Sequence, residues 1–324
     1  MNFKESIPYK LIITGAAIGL LLLLIWISLF TGIKDISFAS LFSDKEQALF
    51  FIISRIPRTL ALLFVGAGLS LAGFVFQHLS QNKFVSPTTA GTLEAAKMGI
   101  LFSIIFIPEV PLMMKMSFAM LFTFLASLLF IGFISKVNIK NTIYIPLVGL
   151  MFGNILSAIS TFFAYKHGIV QNTQEWMLGD FSSVLQGQYE TVFLILPAVV
   201  LIYFYADRIT IAGLGPSFAK NLGLPYYSIV YMGLFIIALV VSSSVVTVGA
   251  IPFIGLIVPN LLSLIYGDNL RRTLPIIAYT GASFLLFCDI LSRLLVYPFE
   301  VPIGMTVGII GGILFLVLIL RRKK

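Results

Sequence analysis

Three arginines stand near the ends of hydrophobic segments, where a guanidinium group could bind a carboxylate. Arg55 and Arg58 flank Pro57 at the start of one segment, and Arg293 lies near the end of another. Guanidinium groups bind carboxylates through charge-assisted, often paired hydrogen bonds. Arginines at such positions also commonly extend to a membrane interface without further function. The sequence therefore predicts either interfacial anchors or an acceptor for carboxylates of an external partner.

Two carboxylates inside hydrophobic segments raise a different possibility. Asp289 precedes Arg293 by four residues, and Glu94 precedes Lys97 by three. Because these spacings place each pair on one helix face, we expect both carboxylates to pair with the neighbouring cation, Asp289 orienting Arg293. The alternative is an ion-coupled secondary transporter that uses Asp289 or Glu94 as its coupling carboxylate.

The residue types that support enzymatic or metal chemistry are sparse. His78 and His167 have no neighbours at ligand spacing, and Cys288 is the one cysteine. The sequence contains neither a nucleotide-binding P-loop nor a His-Glu-x-x-His helix. We therefore predict no catalytic residue, no metal site and no cofactor on this chain. If ATP drives the protein, ATP and magnesium must bind to a partner ATPase.

Composition places these residues in a multi-pass membrane protein. The 324 residues are 59% hydrophobic and 10% charged, with a mean hydropathy of +1.05, whereas a soluble domain has about 25% charged residues. The net charge of +8 is scattered among apolar runs, which argues against a nucleic-acid partner. The chain is predicted to lie in the lipid of the cell (inner or cytoplasmic) membrane.

Hydrophobic runs predict an all-α integral membrane protein of about ten transmembrane helices, forming one transmembrane domain over 1–324. About 20 residues cross the roughly 30 Å hydrocarbon core. Both termini are predicted to be cytoplasmic, because this arrangement places most lysines and arginines inside. The third and eighth spans are short or interrupted and should lie inside the bundle. The predicted spans are 11–30, 56–78, 92–107, 113–135, 142–164, 190–206, 226–248, 250–266, 274–297 and 302–320.

An inner loop over about 207–224 contains a candidate short helix. After Gly215-Pro216, the run from Ser217 to Leu222 can form about two helical turns, and Gly223 suits a C-terminal cap. Such a helix is either a plain connector or a docking element on the cytoplasmic face.

The apolar segment 249–260 carries Gly249, Pro252, Gly255 and Pro259. Helix-breaking residues persist at membrane depth where neighbouring helices or a lined cavity satisfy the freed backbone groups. The segment is therefore predicted to form part of the wall of a translocation path.

Taken together, these landmarks resemble the permease subunits of ABC importers for iron–siderophore complexes, haem and cobalamin. The resemblance implies a dimeric bundle around a central path, made with a second permease chain or a second copy. It also implies two cytoplasmic ATPase subunits and an extracytoplasmic substrate-binding protein. The matching landmarks, in order along nearly the whole chain, are Arg55-Ile-Pro-Arg58, Gly66-Ala-Gly68, Asn82-x-x-x-x-Pro87, Trp176-Met-Leu-Gly179, Asn221-Leu-Gly223, the 249–259 segment, Asp289-x-x-x-Arg293 and Glu300-x-Pro302-Ile-Gly304.

The resemblance also implies roles for residues. Arg55, Arg58 and Arg293 would receive carboxylates of the binding protein, and the 249–259 segment would gate the path during alternating access. Segment 86–92 is more similar to importers of catecholate-type siderophores than to cobalamin permeases, so a ferric siderophore is the expected cargo. Haem or cobalamin is the alternative within the family. The residues implied to contact the ATPase are Pro216, Ser217, Ala219, Lys220, Asn221, Leu222 and Gly223.

Overall fold

The computed structural model describes residues 7–32, 38, 40–107, 109–137 and 144–321. The terminal residues 1–6 and 322–324, which contribute to the predicted orientation, lie outside this set. Within the described residues, the chain forms fourteen α-helices. These are α1 Ile7–Phe30, α2 Ser40–Ser43, α3 Lys45–Phe50, α4 Ile56–Leu79, α5 Thr92–Phe106, α6 Leu112–Lys136, α7 Tyr144–Lys166, α8 Val170–Glu175, α9 Ile195–Ala212, α10 Pro216–Asn221, α11 Tyr226–Val248, α12 Ile254–Tyr266, α13 Leu270–Leu294 and α14 Ile303–Arg321.

In the described residues, ten of these helices have 13 residues or more and follow the ten predicted spans in order. Within the described residues, six segments are long and apolar enough to cross a membrane. They are Lys45–Leu79, Leu112–Lys136, Tyr144–Lys166, Glu190–Ala212, Tyr226–Val248 and Leu270–Leu294. The whole of α12 and parts of α1 and α14 are shorter apolar helices. Helices α5 and α12 are largely buried, which confirms the prediction that these short spans lie inside the bundle.

Helix α4 occupies the centre of the bundle, and its glycines explain how closely its neighbours approach. A Cβ atom added to Gly66 would lie 2.6 Å from the carbonyl oxygen of Gly281 in α13. One added to Gly73 would collide with the backbone of Gly255 in α12. Small residues let helices in a membrane pack backbone against backbone. Helix α4 is therefore held firmly against the middle of α13 at Gly66 and against the start of α12 at Gly73.

Among the boundaries that differ from the predicted ones, two have a clear local cause. Helix α9 continues to Ala212 rather than ending at 206, because its buried stripe of Ile202, Ala206, Ile209 and Ala212 keeps helical spacing. The inner loop is correspondingly shorter than the predicted 207–224. Helix α12 begins at Ile254 rather than 250, because the left-handed φ of Phe253, +63°, interrupts the helical backbone there.

Candidate functional sites at the two ends of the bundle

At the end of the bundle predicted to face outside, here the outer end, Arg58 joins two helices and a loop. Its Nη2 and Nε atoms donate to Oδ1 of Asp289, at 2.8 and 3.2 Å. Its Nη1 atom donates to Oε2 of Glu300, at 2.6 Å. The start of α4 and the end of α13 are thereby linked across 231 positions of sequence.

Arg293 extends this network to the end of α1. It donates to Oδ2 of Asp289 and to the backbone carbonyls of Ser28 and Thr31, at 2.9 and 2.7 Å. Arg55 donates to the same Thr31 carbonyl, also at 2.7 Å. The last carbonyls of a helix lack partners within the helix and carry partial negative charge, so cations stabilise them. We call Arg55, Arg58, Asp289, Arg293 and Glu300 the outer cluster.

The outer cluster contains the residues that the sequence singled out, and their surroundings differ from those of an open acceptor. Asp289 pairs with Arg293, as its spacing predicts, and also with Arg58. Asp289 is 0% exposed, and all three arginines are buried. Their guanidinium groups contact acceptors of this chain. A carboxylate held between two arginines is suited to positioning them rather than to exchanging ions.

The second intramembrane pair is simpler. Lys97 is buried in α5, and its Nζ lies 3.5 Å from Oε2 of Glu94. Glu94 also packs near Gly153 of α7, where an added Cβ would lie 3.8 Å from its Cγ. The pairing expected from the i,i+3 spacing is therefore present. Glu94 serves as the partner of a buried lysine.

At the opposite, inner end, the predicted short helix is present as α10. The amide of Gly223 donates to the carbonyl of Lys220 at 2.9 Å, and Gly223 has a φ of +74°. This left-handed glycine ends the helix as the sequence predicts. Within α10 only Ala219 is buried, whereas the large apolar side chains of Phe218 and Leu222 are exposed. Exposed apolar residues grouped in this way are typical of a contact surface.

Beside α10, polar residues surround a cavity of about 300 Å³. Both ring nitrogens of His78 lie 2.9 Å from backbone carbonyls, those of Phe74 and Asp268. Lys83 pairs with the Asp268 carboxylate at 2.8 Å. A second pair, Arg271 with Asp207 at 2.6 Å, ties α13 to α9. We call His78, Lys83, Asp207, Asp268 and Arg271 the inner cluster.

The four residues predicted to line a path have different surroundings. Gly249 borders an outer cleft of about 460 Å³, together with Lys115, Trp176 and Asp180. Pro252 is half-buried and contacts α14 near Gly308. Gly255 and Pro259 are buried in α12. Because proline has no amide hydrogen, Pro259 cannot bond the carbonyl of Gly255, and this carbonyl abuts Gly73 of α4.

Asn260 follows Pro259 within α12. Its Nδ2 atom donates to the carbonyl of Leu256 at 2.8 Å and to the carbonyl of Lys83 at 2.7 Å. The side chain therefore attaches α12 to the loop that follows α4. An amide donor is sufficient for this link.

Sequence reasoning missed three contributors to the outer cluster. Ser28 and Thr31 act through their backbone carbonyls. Because every residue has a backbone carbonyl, the residue type does not indicate this role. Glu300 stood out only as an acid outside the spans and as part of a motif. The available signal was its position, because it lies three residues before the start of α14 and thus at the same end as Arg58.

Among the residues that the structure describes, no group of three or more histidines, cysteines, aspartates or glutamates could hold a metal ion. The two polar clusters instead contain ion pairs that join one helix to another. A helical bundle with apolar spans and such paired charges at its ends is a multi-pass protein of the cell membrane. Residues 20–321 match the FecCD transport family, and the chain belongs to that family. It is therefore a membrane permease of a transport family rather than an enzyme.

Relatives and solved structures agree with this placement. The ferric-anguibactin transport system permease protein FatD of Vibrio anguillarum is 47% identical over 298 residues, covering 92% of this chain and 95% of that protein. The petrobactin import system permease protein YclN of Bacillus subtilis is 46% identical over 305 residues, covering 94% and 96%. A solved structure described as an inward-facing metal-chelate type ABC transporter superimposes with a TM-score of 0.80. It is 26% identical and covers 95% of this chain and 99% of its own.

Proposed function

We propose that this chain is the permease of a binding-protein-dependent ABC importer that carries a ferric siderophore into the cytoplasm. The observation that carries this proposal is the similarity, at 46–47% identity over more than nine tenths of both chains, to permeases named for ferric-anguibactin and petrobactin. The 86–92 segment favours a catecholate-type siderophore. Haem and cobalamin are the competing cargoes within the family.

The partners follow from the same proposal. Two ATPase subunits bind the inner end and hold ATP and magnesium, so this chain itself binds no cofactor. The exposed Phe218 of α10 and the exposed Leu222 that follows the helix support that contact, and the proposed ATPase surface comprises residues 216–223. A second permease chain, identical or different, completes the path. A substrate-binding protein delivers the ferric siderophore from outside.

The proposed mechanism is alternating access. A loaded binding protein docks on Arg55, Arg58 and Arg293. Asp289 holds Arg58 and Arg293 in place. ATP binding by the partner subunits shifts α10, and the two permease chains then open the path to one side at a time. Gly249 borders the outer cleft of this path. Gly255 and Pro259 act in the gating of the path through the backbone contact between α12 and α4, with Pro252 at the contact of this segment with α14.

Uptake tests the proposal directly. Cells with and without this chain are given radiolabelled ferric catecholate, ferric hydroxamate, haem and cobalamin in parallel. We expect selective loss of one ferric siderophore, restored by the plasmid-borne gene. Loss of haem or cobalamin uptake alone would assign the competing cargo, and unchanged uptake of all four would contradict the proposal. Uptake that stops when the ion gradient collapses while ATP persists would instead indicate an ion-coupled transporter.

A further inference from the structure

The two carboxylates that contact Arg58 differ in how firmly they are held. Asp289 lies within α13, is 0% exposed and bonds two arginines. Glu300 lies beyond the helix, its side chain is 17% exposed, and it forms a 2.6 Å ion pair with Arg58. Removing Asp289 from the network would leave buried charges without a partner, whereas Glu300 can turn towards water. Arg58 thus has one permanent carboxylate and one that can leave.

Glu300 belongs to a segment that projects from the outer end. We call residues 295–302, which join α13 to α14, the outer strap. The strap is held by the amide of Val301, which donates to the carbonyl of Ser292 at 3.2 Å, and by one turn between Val296 and Phe299. Tyr297 and Phe299 are well exposed. A protein that approached Arg58 from outside would therefore meet the strap and Glu300 first.

We propose that Glu300 occupies, from within the chain, the carboxylate site on Arg58 that a carboxylate side chain of the binding protein takes on docking. This inference rests on the proposed docking role of the outer arginines. Docking is then an exchange of one carboxylate for another on Nη1 of Arg58, while Nε and Nη2 stay on Asp289. The exchange requires only that Glu300 rotate into water or onto the partner.

Such an exchange explains how Arg58 can be buried in the resting chain and still bind a carboxylate of a docking protein. Without Glu300, the buried Arg58 and Arg293 would share the single carboxylate of Asp289. Buried charge that is not fully compensated is costly, so an empty acceptor would destabilise the resting permease. With Glu300 in place, Arg58 and Arg293 have two carboxylates between them. An intramolecular carboxylate competes at an effective concentration on the order of millimolar. An isolated carboxylate in solution therefore does not displace it, and only a partner that also contacts the surrounding surface does.

The test compares docking by variants of the complete transporter in lipid nanodiscs. The probe is the substrate-binding protein of the same transporter, and its Kd is measured by surface plasmon resonance. E300Q removes the competing charge and keeps the shape, so we expect tighter docking by roughly ten- to a hundredfold, the range of one charge-assisted bond. E109Q makes the same charge change at another outer position, an exposed one, and should leave the Kd unchanged.

Weaker or unchanged docking by E300Q overturns the exchange and makes Glu300 a structural partner of Arg58. An equal gain in E109Q also overturns it, because the effect is then one of overall charge. R58Q distinguishes the docking role of Arg58 from the exchange with Glu300. Unchanged docking in R58Q overturns the docking role itself. If E300Q does not survive purification, E300D keeps the charge on a shorter side chain and should still tighten docking; no gain in E300D overturns the exchange.

Discussion

Ion pairs lie at both ends of the α4–α13 helix pair, but they are buried at the outer end and partly exposed at the inner end. At the outer end Asp289 is 0% exposed and lies between Arg58 and Arg293. At the inner end the side chains of Lys83 and Asp268 are 35% and 50% exposed. A buried carboxylate that loses its cations is strongly destabilising, whereas an exposed pair contributes little. The ion pairs of the outer end therefore contribute strongly to the stability of the fold, whereas those of the inner end contribute little and remain accessible to a partner.

This contrast fits the different contacts proposed for each end. An inner end with half-exposed pairs and exposed apolar residues on α10 can accept a partner without first breaking internal bonds. At the outer end Arg58 is already paired with Asp289 and Glu300, so it can accept a partner's carboxylate only by exchanging one bond for an equivalent one. Partner binding at the two ends should therefore respond in opposite ways to loss of an internal acid.

The largest effect is expected from removing the shared outer carboxylate. Asp289→Asn leaves Arg58 and Arg293 buried without their common counter-ion, so we expect a loss of about 3–5 kcal/mol of stability. The matched control is Asp268→Asn at the inner end, which should cost less than about 1 kcal/mol. Denaturation of both variants in detergent micelles, followed by size-exclusion chromatography, measures the difference. Equal losses would show that burial does not distinguish the ends.

The contrast also requires that α4 and α13 touch between their ends. Gly281→Ala places a methyl group against the Gly66 carbonyl and the Ser70 side chain, and overpacking of this kind costs about 1–3 kcal/mol. Gly312→Ala is the control, because nothing lies within 4 Å of its added Cβ. Thermal unfolding should separate the two variants. A normal melting temperature for Gly281→Ala would mean that the helices can separate without loss.

A third pair of variants applies the same backbone strain at opposite ends. Gly223 and Gly168 have φ values of +74° and +70°, and neither has an atom within 4 Å of an added Cβ. Valine at either position should cost about 1–2 kcal/mol. If α10 binds the ATPase, only Gly223→Val should reduce its co-purification and abolish uptake. Equal co-purification in both variants would argue against this interface.

The smallest effect is expected at the half-exposed inner pair. Lys83→Gln removes the partner of Asp268, and we expect a loss of about 0.2–1 kcal/mol that shrinks further in high salt. Urea denaturation at two salt concentrations measures it. A loss as large as that of Asp289→Asn would erase the distinction between the ends.

The sequence predicted the features that depend on neighbouring residues. Span positions follow from run length, the Asp289–Arg293 pair follows from helical spacing, and the end of α10 follows from the φ that Gly223 can adopt. The pairing of Arg58 with Asp289 could not be predicted, because residues 231 positions apart meet only through the packing of α4 on α13. The burial of the arginines was missed for a related reason. Their acceptors on α1 are backbone carbonyls, which every residue type carries.

The glycine contacts of α4 have a mechanical consequence. Side chains can absorb a small displacement by changing rotamer, but two backbones in direct contact cannot. At Gly66 and Gly73 the backbone of α4 is in direct contact with the backbones of α13 and α12. The three helices should therefore move as one stiff body. Helix α4 has 24 residues and a length of about 36 Å. A tilt begun at Arg58 should therefore reach His78 undiminished, and paired spin labels on α4 and α13 should keep a constant separation throughout the transport cycle.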